Sequence, residues 1–187
     1  MGFNIAGLVI NDNFQHDITA LGNALKWELK LIHEIPFKEA SSNWMSEDLN
    51  IYFGPKGTLI FFPHEWAMNK YHITGYDSLC FAYSEVSMAY LLSHLDKEGN
   101  YRSFIEIEGK KNLQEGIELE LEATIDKAPE LIMALINETL GEGWLAIDPD
   151  SKCLHCNRVG FKTAEIRPDF KQPEALRKNK KWWQFWK

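Results

Sequence analysis

The chain has 187 residues, 45% of them apolar and 13% aromatic, with a formal net charge of −7. This composition suits one domain with a sizeable core and excludes wholesale disorder. The acidic balance argues against a general nucleic-acid binder, which needs a basic face for phosphates, and three cysteines are too few for a disulfide framework and suit a reducing, cytoplasmic compartment.

The opening residues, MGFNIAGLVIND, lack the basic start and long apolar run of a signal peptide, and no apolar run reaches the roughly 18 residues of a spanning helix. Residues 3–10 read as a short buried strand, and Asn11-Asp12-Asn13 as a loop. Asp17 is a helix cap for a segment carrying Ile18, Leu21 and Leu25 at helical spacing. Residues 28–35 partly alternate and stop at Pro36, which predicts a strand and a β-α-β opening. Residues 38–48 read as a surface connection. The runs 50–53 and 58–62 flank Gly54-Pro55-Lys56-Gly57, a strong hairpin signal. Residues 63–77 form an aromatic, histidine-containing loop or short helix.

Residues 78–108 are the longest nearly continuous apolar region and belong at the centre of the core. Their middle fits two periods. Met88, Leu91, Leu92 and Leu95 have helical spacing, while Val86, Met88, Tyr90 and Leu92 alternate. The turn signal Asp96-Lys97-Glu98-Gly99 favours a hairpin, although a glycine after a charged turn also ends helices. Residues 106–126 carry seven acidic residues against Lys110 and Lys111. Glu118, Glu120 and Glu122 alternate with Ile117, Leu119 and Leu121, which predicts a strand aiming its carboxylates at water, a face able to steer a basic partner. Residues 127–140 are the best helix, with Pro129 in the first turn, a stripe of Leu131, Ile132, Leu135 and Ile136, and Gly141 at the end. Residues 144–147 are a short apolar segment, 148–151 a turn and 152–161 a last strand.

Three constellations could carry chemistry. Cys153 and Cys156 have the spacing of a zinc pair, but a structural zinc site needs four ligands and no second pair exists. Alternation puts Cys153 with His155 on one strand face and Leu154 with Cys156 on the other, so neither metal nor cofactor is expected. His64, Glu65, Trp66, Tyr71 and His72 make the densest group of potentially reactive side chains and are the candidate ligand pocket. No nucleophile elbow, zinc-protease motif or Walker A loop accompanies them, so no catalytic residue is assigned. The segment 171–187 has six Lys and Arg against one Glu, a net of +5, which leaves −12 on the preceding 170 residues. On a helix, Leu176, Trp182, Trp183, Phe185 and Trp186 fall in one half-circle and Arg177, Lys180, Lys181 and Lys187 in the other. Lys180, Lys181, Trp182, Trp183, Phe185 and Trp186 are therefore candidates for contact with a partner or an anionic membrane surface.

The expected architecture is a single α+β domain over residues 1–168, with an antiparallel or mixed sheet and at least two helices packed on one face, followed by a basic, tryptophan-rich tail over 169–187. The expected function is non-catalytic binding of a protein partner through an acidic, aromatic-rich surface in the cytoplasm. Alternatives are peripheral membrane association through the tail, and ligand binding or catalysis in the His64–His72 region.

Overall fold

The computed structural model of the chain describes residues 3–42 and 48–159. The boundary at residue 168, the tail and the last two residues of the predicted 152–161 strand lie outside them. In chain order the elements are β1 (Asn4–Ile10), α1 (Ile18–Leu25), β2 (Glu28–Pro36), α2 (Phe37–Ala40), β3 (Leu49–Phe53), β4 (Thr58–Phe61), α3 (His64–Ala67), β5 (Ser78–Ser84), β6 (Ala89–Leu95), β7 (Tyr101–Ile107), β8 (Lys110–Gly116), α4 (Ala128–Leu140) and β9 (Lys152–Val159). Among the described residues the strands form one nine-stranded sheet in the order β2-β9-β3-β4-β1-β5-β6-β7-β8. Every pairing is antiparallel. The fold is thus α+β with an antiparallel sheet. The opening β-α-β is present in sequence, but β1 and β2 lie four places apart because β3, β4 and β9 come between them.

Both faces of the sheet are covered. Ile5 and Val9 of β1 point into one apolar cluster with α4 and α2, while Ala6, Leu8 and Ile10 point into a second with α1 and residues 62–73. α4 and α2 thus share one face, as the sequence suggested, and α1 and α3 lie on the other. That arrangement explains the ambiguity of residues 84–95. β6 sends Leu92 into the first cluster and Leu91 into the second. A strand buried on both sides is apolar at consecutive positions, so its pattern imitates a helix. The strand wins because Asp96 Oδ1 accepts the Asn100 amide at 2.7 Å and Gly99 takes φ +92°, which closes the hairpin into β7.

Local signals place the other elements. Asp17 Oδ1 accepts the Ala20 amide at 2.8 Å and starts α1, whose Leu21 and Leu25 are buried. α4 buries Leu131, Ile132, Leu135, Ile136 and Leu140, and Gly141 ends it at φ +78°. Its N-terminus is capped from across the fold. Glu106 of β7, 5% exposed, accepts the Ala128 amide at 3.2 Å. An acidic side chain suits the positive end of a helix dipole, and this contact ties α4 to the sheet. At the centre, β1 approaches β4 so closely that a Cβ on Gly7 would collide with the Ile60 carbonyl.

One element differs outright. Residues 117–122 are not a strand. β8 ends at Gly116, and Glu120–Ala123 is a 3₁₀ turn. Arg102 draws Glu122 inward, which breaks the alternation that the sequence displays. Among the described residues, no helix is long and apolar enough to cross a membrane.

Candidate functional site

The candidate pocket residues fall on one connection, α3 and the loop that follows it, yet their side chains part company. His64 is 6% exposed, and burial lowers its pKa to about 4 against a hydrogen bond with the Tyr83 backbone. Glu65, its neighbour, stands in solvent. The acid and the base are therefore on opposite sides of a single helical turn. Trp66 and Tyr71 do meet, in an aromatic cluster with Trp27 and Phe62. The Trp27–Tyr71 centroids are 5.4 Å apart and the Phe62–Tyr71 centroids 5.9 Å. The Arg158 guanidinium of β9 lies 3.8 Å over the Trp66 ring and 5.3 Å from that of Trp27. Stacked guanidinium favours aromatic faces, so this contact clamps the end of β9 to the loop.

His72 joins a polar track above β5, β6 and β7. Its Nε2 is 2.8 Å from Ser93 Oγ and its Nδ1 is 3.2 Å from Ser78 Oγ. Ser93 Oγ in turn donates to the Tyr101 hydroxyl at 3.3 Å. A serine–histidine contact of this length is the geometry of an activated nucleophile. Here Ser93 has no exposure, and the second ring nitrogen meets a hydroxyl in place of an orienting carboxylate. Burial, with the charges of His94 and Lys70, lowers the His72 pKa to about 3, so the ring is neutral at ordinary pH. A neutral imidazole that donates once and accepts once is well matched to two serines, and the track pins the loop to three strands.

The cysteine pair is divided by the sheet. Cys153 belongs to the cluster beneath α4 and Cys156 to the opposite one. Burial pushes their thiols up to about 12 and about 11. His155 Nδ1 lies 2.7 Å from Asn50 Oδ1 and its Nε2 3.4 Å from Asp48 Oδ2, with the His33 ring 4.9 Å away. Among the described residues no group of three or more His, Cys, Asp or Glu is arranged to hold a metal ion.

The acidic segment is where the surface is organised. Arg102 and Glu122 form a two-pronged ion pair, with Nε–Oε1 and Nη2–Oε2 both 2.7 Å, and their side chains are 4% and 6% exposed. Gln114 Oε1 accepts the other Arg102 bond at 2.9 Å, and the Leu119 amide donates to Glu122 at 3.1 Å. Burial alone would raise the Glu122 pKa. The Arg102 and Leu119 hydrogen bonds, with the charges of Arg102 and Lys111, outweigh it and hold the carboxyl low. This anchor fixes a turn whose other carboxylates, Glu118 and Glu120, face water, while Asp126 and Glu130 pair with Lys111 at 3.9 Å and Lys127 at 3.2 Å. On the same segment, Ile117 is 66% exposed and Leu113 36%.

Sequence reasoning missed Arg102 and Arg158. The available signal for Arg102 was a lone cation within an otherwise mostly apolar strand, which demands a buried carboxylate. Lys180, Lys181, Trp182, Trp183, Phe185 and Trp186 lie outside the described residues. The chain matches no family model, no curated protein and no solved structure.

Proposed function

We propose that the chain is a non-catalytic binding protein that takes a basic, partly apolar protein segment on the rim formed by β8 and the turn after it. The observation that carries this reading is the exposure of Ile117 (66%) and Leu113 (36%) on the segment that also presents Glu118 and Glu120 to water. Apolar side chains left in water on a segment that also exposes carboxylates suit a partner that offers both apolar contact and the opposite charge. The buried Arg102–Glu122 pair holds the turn in place, so little ordering cost falls on binding. Three free, buried cysteines accord with work in the reducing cytoplasm. Among the described residues the aromatic side chains, Tyr101 apart, belong to the core clusters or pack against them, so the reading rests on acidic and aliphatic groups.

The test is fluorescence anisotropy of a labelled amphipathic Lys/Leu peptide titrated with the full chain. Binding that weakens as salt rises, and that drops at least tenfold in Glu118→Lys/Glu120→Lys, supports the reading. Equal affinity of the parent and the charge-reversed chain would refute it.

A further inference from the structure

A second surface lies at the opposite edge of the sheet, about 38 Å from the rim at roughly 4.8 Å per strand spacing. Between α1 and the start of β2 runs an open groove of about 420 Å³. Its inner wall is Ile18, Gly22, Trp27 and Leu29, all buried or half-buried, and exposed Asn23 and Glu28 stand at its lip. Further along β2, Leu31 is 52% and Ile32 46% exposed. Among the described residues no strand pairs with the outer side of β2. Glu28, Lys30 and Glu34 and the bulge after Leu31 temper this open edge, but its exposed apolar side chains still favour a cover.

The chain itself supplies the occupant. β9 ends at Val159, which pairs with Glu28, so the polypeptide leaves the described body at the lip of the groove. It then continues for 28 residues, among them Trp182, Trp183 and Trp186. We propose that segment 171–187 docks within its own molecule in the α1–β2 groove, with its tryptophans against Trp27 and Leu29 and over Leu31 and Ile32. Lys26 and Lys30 also border this surface, so charge does not select it over the acidic rim. Apolar contact and tethering do. Three tryptophans in water are unfavourable, and a tethered segment meets a nearby groove at an effective concentration of the order of millimolar. A segment held there covers the outer side of β2 and keeps it from pairing with a second copy.

Paramagnetic broadening in the full chain tests this. A nitroxide is placed through Asn23→Cys at the groove, or through Glu120→Cys at the rim. The native cysteines are fully buried, so the label goes to the new thiol. Thr19→Cys, also an exposed α1 position bordering the groove, serves if Asn23→Cys does not fold. The indole N–H signals of Trp182, Trp183 and Trp186, assigned by Trp→Phe substitution, are expected to lose most of their intensity with the α1 label and keep it with the rim label. Loss from the rim label alone places the segment on the acid face and overturns the proposal. Loss from neither label shows an undocked segment and also overturns it. Loss that appears only when isotope-labelled chains are mixed with spin-labelled ones shows docking on a second copy and overturns the intramolecular claim.

Discussion

Replacing Glu122 by glutamine removes one charge from the Arg102–Glu122 pair and little volume. In the parent, the guanidinium and carboxylate touch through two bonds of 2.7 Å and are almost wholly shielded from water. Unit charges about 4 Å apart attract by about 4 kcal/mol at an effective dielectric of about 20. The glutamine oxygen keeps one acceptor for Arg102, but the cation stays buried without its counter-charge, a change that costs about 3–5 kcal/mol in comparable pairs. We expect a loss at the lower end, about 3 kcal/mol, because Gln114 still accepts from Arg102. Urea unfolding followed by circular dichroism reads this directly. Arg102→Met/Glu122→Leu, which removes both charges, should recover most of the loss. The pH dependence adds a second readout. A carboxyl held below its ordinary value of 4.5 in the folded state gives stability that is present above that value and lost as pH falls through the folded one. The gap between the parent and Glu122→Gln should therefore narrow on acidification below 4.5. A single variant within about 0.5 kcal/mol of the parent, or a gap that does not change with pH, would refute the reasoning.

Other outcomes follow from the same structure. Gly7→Ala should destabilise the sheet centre by about 1–3 kcal/mol in the same unfolding assay, since its methyl group meets the Ile60 carbonyl. His72, whose folded pKa of about 3 lies below its ordinary 6.5, favours the unfolded chain once protonated, so stability should fall by about 1.4 kcal/mol per pH unit between those values on its account. His72→Gln should flatten that slope by one proton, which pH-dependent denaturation measures. Cys80, Cys153 and Cys156 are buried, with thiols raised to between about 11 and about 12, so a thiol reagent should label none in the native chain and all three in denaturant.

Much of the fold was legible because local chemistry and tertiary need agree. Gly54-Pro55-Lys56-Gly57 announces the β3–β4 hairpin, Asp17 announces α1, and Pro129 with Gly141 brackets α4. The failures share a cause. The alternation from Ile117 to Glu122 is real, but whether Glu122 faces water depends on Arg102, which sits in a different strand. No periodicity records that partner. The split of the helices was illegible for a related reason, since a four-residue helix such as α2 or α3 has no period of its own to read. The aromatic clamp is a third case. Trp27, Trp66 and Arg158 come from three distant segments, and only the late arrival of β9 beside β2 brings them together. The His64–His72 segment looked dense in reactive groups because it is. In the structure His72 meets Ser78 and Ser93, while Trp66 and Tyr71 join the aromatic cluster and Glu65 stands in solvent.

The position of β9 has a consequence for how the chain is made. β2 and β3 emerge from the ribosome early, but the strand that joins them is almost the last of the described chain. Until it emerges, β2 has no hydrogen-bonding neighbour and β3 has only β4, while the meander of β5 to β8 forms from local hairpins. Such distant pairings close slowly, and open strand edges on a nascent chain are vulnerable to aggregation. Synthesis that stalls before residue 152 would therefore release a product with two open edges inside what should become one sheet. The yield of this protein should depend on holdase chaperones during that interval more than its final stability would suggest.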